Sequence, residues 1–167
     1  MQKITEDTID SINERIQQMD EEEVEKVWDE FAREQPALVG YVLGESRELT
    51  HPDAREDIAY ILTIILLSFR AYRSIIPAVS EAEFEKAFNK EFDEMEEVFQ
   101  DGFDETDAMT VMDSFSQPHL LQFAAAVIYS EGGEEVSNFS EEEAGLFIVI
   151  LKTVIGLLHE KASLSSL

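Results

Sequence analysis

Histidine, lysine and paired carboxylates are the side chains with which this chain could do chemistry, because it contains no cysteine. Two of its three histidines, His119 and His159, lack the acidic residue three positions earlier that helical di-iron sites use. His51 stands beside Pro52 at a predicted helix start, where capping is the simpler role. The chain has no nucleotide-binding loop, hydrolase motif or calcium loop. The sequence therefore predicts no catalytic residue, no metal ligand and no cofactor.

Four further polar residues and one lysine stand out by position. Asp29 and Asp113 occupy matching places in two similar segments, but Asp29 points about 150° away from the apolar stripe of its helix, toward solvent. Gln35 and its counterpart Gln117 come at helix ends, and we expect the Gln35 amide to satisfy backbone groups at its corner. Lys152 lies in an apolar helix. It would need a depressed pKa to act in catalysis, so pairing with a carboxylate or reaching toward solvent is the favoured role.

The charge balance excludes several functions. The chain has 37 acidic and 12 basic residues, a formal net charge of −25. Direct nucleic-acid binding and docking on anionic membranes both need a basic face, so we expect neither. The longest apolar stretch, residues 58–69, is too short to span a bilayer, which needs about 20 residues. The N-terminal residues lack the apolar segment of a signal peptide, and we therefore expect a cytoplasmic protein.

Apolar residues recur with helical spacing through nearly the whole chain, and no alternating strand pattern is visible. We predict a single all-α domain over residues 1–167 with about eight helices. The helices over residues 53–74 and 141–161 are apolar on all sides, which predicts that both are central in the fold. The predicted helices start at or near Ile4, Asp20, Pro36, Thr50, Ser80, Asp104, Pro118 and Ser140.

The two halves of the chain share an ordered pattern. Residues 27–38 contain V-W-D-x-F followed by Q-P-x-L, and residues 111–120 contain V-M-D-x-F followed by Q-P-x-L. Self-similarity of this kind indicates a repeat architecture. We predict a tandem duplication of a four-helix unit, with repeats over residues 1–77 and 80–163. Two copies fit either a pseudo-two-fold globule or a short helical array, and chance similarity between two helical stretches is the alternative.

Acidic residues are concentrated in the second half of the chain. Between residues 91 and 151 there are sixteen of them and neither Lys nor Arg. Solvated helix faces are the usual reason for such a run. The other interpretation is an electrostatic surface for a basic partner. The residues predicted for that surface are Glu94, Glu97, Asp101, Asp104, Glu105 and Asp107.

These patterns favour a non-enzymatic interaction or scaffold protein that binds a basic protein segment. The alternative is a helical-bundle enzyme or a divalent-metal-binding protein whose site is assembled from dispersed carboxylates, since such a site leaves no local motif. A homodimer is compatible with either hypothesis, because a duplicated helical unit can leave apolar edges uncovered.

Overall fold

The computed structural model describes residues 1–100, 112, 115–129 and 137–164. These residues form seven α-helices and no β-strand, which confirms the all-α prediction. The predicted helix that opens at Asp104 lies outside the described residues. The helices are α1 (Glu6–Gln17), α2 (Glu21–Glu34), α3 (Pro36–Ser46), α4 (Pro52–Tyr72), α5 (Glu81–Gln100), α6 (Pro118–Tyr129) and α7 (Glu141–Leu164).

The helix starts follow from short capping sequences. The Asp20 side chain accepts a hydrogen bond from the Glu23 backbone N–H, and Glu23 accepts one from the Asp20 N–H in return. The same reciprocal pair recurs before α5 and before α7, each time between a serine and a glutamate three residues later. Before α4, His51 Nδ1 accepts from the Asp53 N–H at 3.1 Å. These bonds satisfy backbone donors that a helix start leaves free.

Helices α4 and α7 are buried on nearly all sides, as their apolar composition predicts. Leu62 in α4 and Leu151 in α7 are both fully buried, and each helix contributes eleven buried residues. Helix α4 packs against α1, α3, α6 and α7, while α7 packs mainly against α5 and α6. The two apolar helices thus form the interior against which the amphipathic helices pack.

Gln35 fixes the relative placement of α3 and α5. It lies between α2 and α3 and is only 4% exposed. Its Oε1 accepts from the Val79 N–H at 2.9 Å, and its Nε2 donates to the Pro77 carbonyl at 3.1 Å and to the Ile76 carbonyl at 3.3 Å. The amide does satisfy backbone groups, as predicted, but they belong to the segment before α5 rather than to the α2–α3 corner.

Gln117 holds the N-terminal residues in place through hydrogen bonds to their backbone, as Gln35 holds the segment before α5. It lies directly before α6 and is fully buried. Its Oε1 accepts from the Ile4 N–H at 2.7 Å, and its Nε2 donates to the Gln2 carbonyl at 3.0 Å. Nε2 also lies 3.0 Å from Nδ1 of His159. Both hydrogens of the amide nitrogen are then in use, so the ring nitrogen of His159 acts as the acceptor.

Candidate interaction groove

A row of aromatic rings runs along the boundary between α3 and α5. The ring centroid of Tyr41 lies 4.4 Å from that of Phe84 and 6.0 Å from that of Phe88, and Phe88 lies 5.9 Å from Phe92. Phe84 is buried, Tyr41 and Phe88 are half-buried, and Phe92 is 38% exposed. The row therefore begins in the core and ends at the surface, which makes it accessible to a partner.

A cavity of about 260 Å³ opens beside this row, lined by Gly40, Tyr41 and Phe84 together with Glu81 and Glu85. Here we call the cavity and the four aromatic rings the aromatic groove. Its volume is below the roughly 300–1,000 Å³ of sites that enclose a whole small molecule. The groove is thus better suited to individual side chains of a protein partner.

Helix α3 presents bare backbone along one edge of the aromatic groove. Gly40 and Gly44 are exposed and one helical turn apart, so they share a face of the helix. A Cβ atom added at either glycine would meet nothing within 4 Å. Another helix can approach α3 closely there, because no side chain keeps it away.

Carboxylates border the aromatic groove and set its electrostatic character. Burial raises the pKa of the Tyr41 hydroxyl, and the nearby charges of Glu45 and Glu85 raise it further. Glu81 and Glu85 are exposed, so their charges face solvent at the mouth of the cavity. The rim therefore disfavours additional negative charge and favours a cation near Tyr41.

Of the residues predicted for an acidic partner surface, the two that the structure describes, Glu94 and Glu97, do not line this groove. Glu94 and Glu97 are exposed on α5. Glu94 is nine residues from Glu85, which places the two about 180° apart around the helix. Asp101, Asp104, Glu105 and Asp107 lie outside the described residues.

The three histidines have separate structural partners. Glu48 stands three residues before His51, but Glu48 lies in the turn after α3, so the pair does not share a helix face. His119 Nδ1 lies 3.2 Å from Glu6 Oε1, which is ion-pair range without hydrogen-bond geometry. For His159, burial lowers the pKa, and the N-terminal ammonium lowers it further. Within the described ranges, no three His, Asp or Glu side chains converge as metal ligands would.

Lys152 pairs with a carboxylate from a neighbouring helix. Its Nζ lies 2.6 Å from Glu91 Oε2, and the side chains are 12% and 23% exposed. The ammonium also lies 5.5 Å from the centre of the Phe115 ring. Pairing with a carboxylate is one of the two roles that the sequence favours for this residue, and the contact joins α7 to α5. Asp29 is exposed on α2, as predicted, whereas Asp113 falls outside the described residues.

No protein-family model, curated protein or solved structure matches this chain. In the part of the chain that the structure describes, every helix is too short or too polar to cross a membrane. The aromatic groove is thus identified from its own geometry.

Proposed function

We propose that this protein is a non-enzymatic interaction protein whose aromatic groove binds a basic amphipathic helix of a partner protein. The observation that carries the proposal is the combination of an accessible aromatic row with a carboxylate rim. Apolar side chains of the partner would contact Tyr41, Phe88 and Phe92. Its Lys or Arg side chains would lie near Glu81 and Glu85, a common arrangement when an amphipathic helix occupies a groove.

Charge favours a basic partner over a second copy of this chain. Two copies, each with a net charge of −25, repel one another, whereas a basic segment is attracted from a distance. The open backbone at Gly40 and Gly44 favours a helix as the bound element, because helices pack closely against glycine. A divalent-metal function has no comparable support among the described residues.

We also propose that residues 1–77 and 80–163 derive from a duplicated four-helix unit arranged as a pseudo-two-fold globule. In each half the first helix packs against the last, α1 on α4 and α5 on α7. Between the halves, α3 contacts α5 and α6 contacts α1. The third helix of each half therefore contacts the first helix of the other half. Gln35 and Gln117 support the same idea, since each holds the segment before the first helix of the other half. The cytoplasm remains the proposed location.

A synthetic peptide can test the aromatic groove directly. The probe is a helical peptide of Lys and Leu with Leu on one face, and its control has the same composition in scrambled order. Fluorescence anisotropy should show tighter binding of the amphipathic peptide. Replacing the open Gly40 with leucine should weaken that binding about tenfold or more, because the new side chain occupies the groove.

Charge reversal provides a matched pair of variants. Glu81→Lys/Glu85→Lys changes the first and fifth residues of α5, and Glu21→Lys/Glu25→Lys changes the first and fifth residues of α2. All four residues are exposed, and both doubles change the net charge equally. Only the α5 double should reduce peptide affinity strongly. If both double variants lose the same peptide affinity, or if the scrambled peptide binds as tightly, the binding is general charge attraction. The proposal that the aromatic groove is the binding site would then be wrong.

Sedimentation of the free protein tests whether a second copy of the chain, rather than a basic partner, occupies the aromatic groove. We expect a monomer at micromolar concentration, because self-repulsion opposes pairing through this face. A dimer that Gly40→Leu dissociates would instead assign the groove to a second copy of the chain.

A further inference from the structure

Most of the lysines of this acidic protein line a single cleft. Six lysines are present in the chain, and four of them line a cleft of about 490 Å³ between α5 and α7. Its volume lies within the roughly 300–1,000 Å³ of small-molecule sites, unlike that of the aromatic groove. The four lysines are Lys86, Lys90, Lys152 and Lys161.

Small residues create the space in this cleft, which we call the lysine cleft. Ala87 on α5 and Gly156 on α7 both line it, and Leu157 adds an apolar side chain. A Cβ added at Gly156 would meet only ring atoms of Phe115, at 3.9 and 4.0 Å. The lysine cleft thus combines an apolar lining with ammonium groups, as sites for organic anions do.

Two of the lysines are already fixed in place by ion pairs. Lys152 Nζ lies 2.6 Å from Glu91 Oε2, and Lys161 Nζ lies 2.7 Å from Glu83 Oε1. The Lys161 contact, followed by the hydrogen bond from the Ser80 backbone, lowers the pKa of Glu83 to about 2. Both pairs join α5 to α7, so they orient ammonium groups along the walls of the cleft.

The other two lysines, Lys86 and Lys90, are exposed and are not held in close ion pairs. Lys86 makes no ion pair with any described residue, and Lys90 lies 4.0 Å from Glu94 with 76% of its side chain exposed. Glu83, Glu91 and Glu160 also line the cleft. A ligand with a single negative charge would gain little against three carboxylates. A ligand with two or more charges can engage several ammonium groups at once.

We propose that the lysine cleft binds a small organic molecule that carries at least two negative charges, of the phosphate-ester class. Its charged groups contact Lys86 and Lys90 and add hydrogen bonds to Lys152 and Lys161. Its uncharged part lies against Ala87, Gly156 and Leu157. This site is separate from the aromatic groove and does not depend on it.

Inorganic tripolyphosphate is the probe for the charged part of such a ligand, with acetate as the single-charge control. Calorimetric titration of the full chain should show one saturable site for tripolyphosphate, weakened by added salt. The double variant Lys86→Gln/Lys90→Gln should lower the affinity about tenfold or more, through loss of two charge-assisted contacts. Both lysines are exposed, so the variant should melt like the unmodified protein.

The matched control is Lys3→Gln/Arg47→Gln, which removes two exposed positive charges elsewhere. It should retain the affinity for tripolyphosphate within about twofold, since it changes only the long-range field. The proposal is overturned if tripolyphosphate shows no saturable binding, if both doubles lose affinity equally, or if acetate binds as tightly. Gly40→Leu should leave tripolyphosphate binding unchanged, so failure here and failure of the aromatic groove are distinguishable.

Discussion

Replacing Gln35 with methionine should destabilise the protein, because the backbone groups that bind the Gln35 amide would lose their hydrogen-bond partner. The Gln35 amide is only 4% exposed and accepts from the Val79 N–H at 2.9 Å. Its nitrogen donates to the Pro77 and Ile76 carbonyls. Methionine is about as long as glutamine but provides none of these bonds. The substitution therefore retains most of the packing and removes the polar contacts.

The size of the effect follows from what is left unpaired. A buried donor without a partner costs about 1–3 kcal/mol, and here the Val79 N–H becomes such a donor. The two carbonyls add a smaller amount, because unsatisfied carbonyls are tolerated better than unsatisfied N–H groups. We expect a total of about 2–3 kcal/mol. A domain of this length loses roughly 2–4 °C per kcal/mol, so Tm should fall by about 4–12 °C.

Thermal and urea unfolding followed by circular dichroism measure this loss. The control is Gln122→Met, because Gln122 is exposed on α6 and should change stability by less than about 0.5 kcal/mol. Hydrogen exchange adds a local readout, since the Val79 amide should exchange faster in Gln35→Met than in the control. Gln117→Met should resemble Gln35→Met. If Gln35→Met melts like the control and Val79 exchange is unchanged, the reasoning is wrong.

Three further predictions test the core, an ion pair and a histidine. Leu151→Asp should abolish cooperative melting, because it buries a carboxylate in a fully enclosed site, whereas Leu164→Asp, at a position 58% exposed, should melt nearly normally. Lys152→Met should cost about 1–3 kcal/mol in urea unfolding, and Lys152→Met/Glu91→Leu should recover most of it, because breaking an ion pair is worse than removing it. Burial lowers the pKa of His159 below its ordinary 6.5, so in the folded state the ring stays neutral where the unfolded chain binds a proton. Compared with His159→Gln, the unmodified protein should therefore show a free energy of unfolding that decreases as the pH falls below 6.5. The decrease should end once the pH is below the pKa of His159 in the folded state. If the free energies of the two proteins change with pH in parallel, the prediction is wrong.

The helices and their order could be predicted because their signals are local. Each capping pair, such as Ser140 with Glu143, is complete within four residues, and α7 begins at the helix start that the sequence predicts near Ser140. The burial of α4 and α7 could also be predicted, since a helix that is apolar on every side has no face to turn toward water. The predicted helix that opens at Asp104 and four of the six residues of the predicted acidic surface fall outside the described residues.

The candidate sites could not be predicted in the same way. Phe84, Phe88 and Phe92 form part of one apolar stripe in the sequence, which predicts a core face for all of them. In the structure Phe84 is buried against Tyr41 of α3, whereas Phe92, about two turns further along α5, is 38% exposed. The glycines at positions 40 and 44 were the sequence feature that could have indicated the groove. They indicate a binding surface only once the position of the neighbouring helix is known.

The sequence by itself determined that this protein is helical, where most helices begin and which two are buried. These properties depend on spacing within one helix and on hydrogen bonds between near neighbours. Only the tertiary structure decided that Gln35 would hold the segment before α5, that Tyr41 would lie against Phe84, and that lysines from α5 and α7 would share one cleft. The physical reason is that these contacts join residues far apart in the chain, and their partners are chosen by how the helices pack.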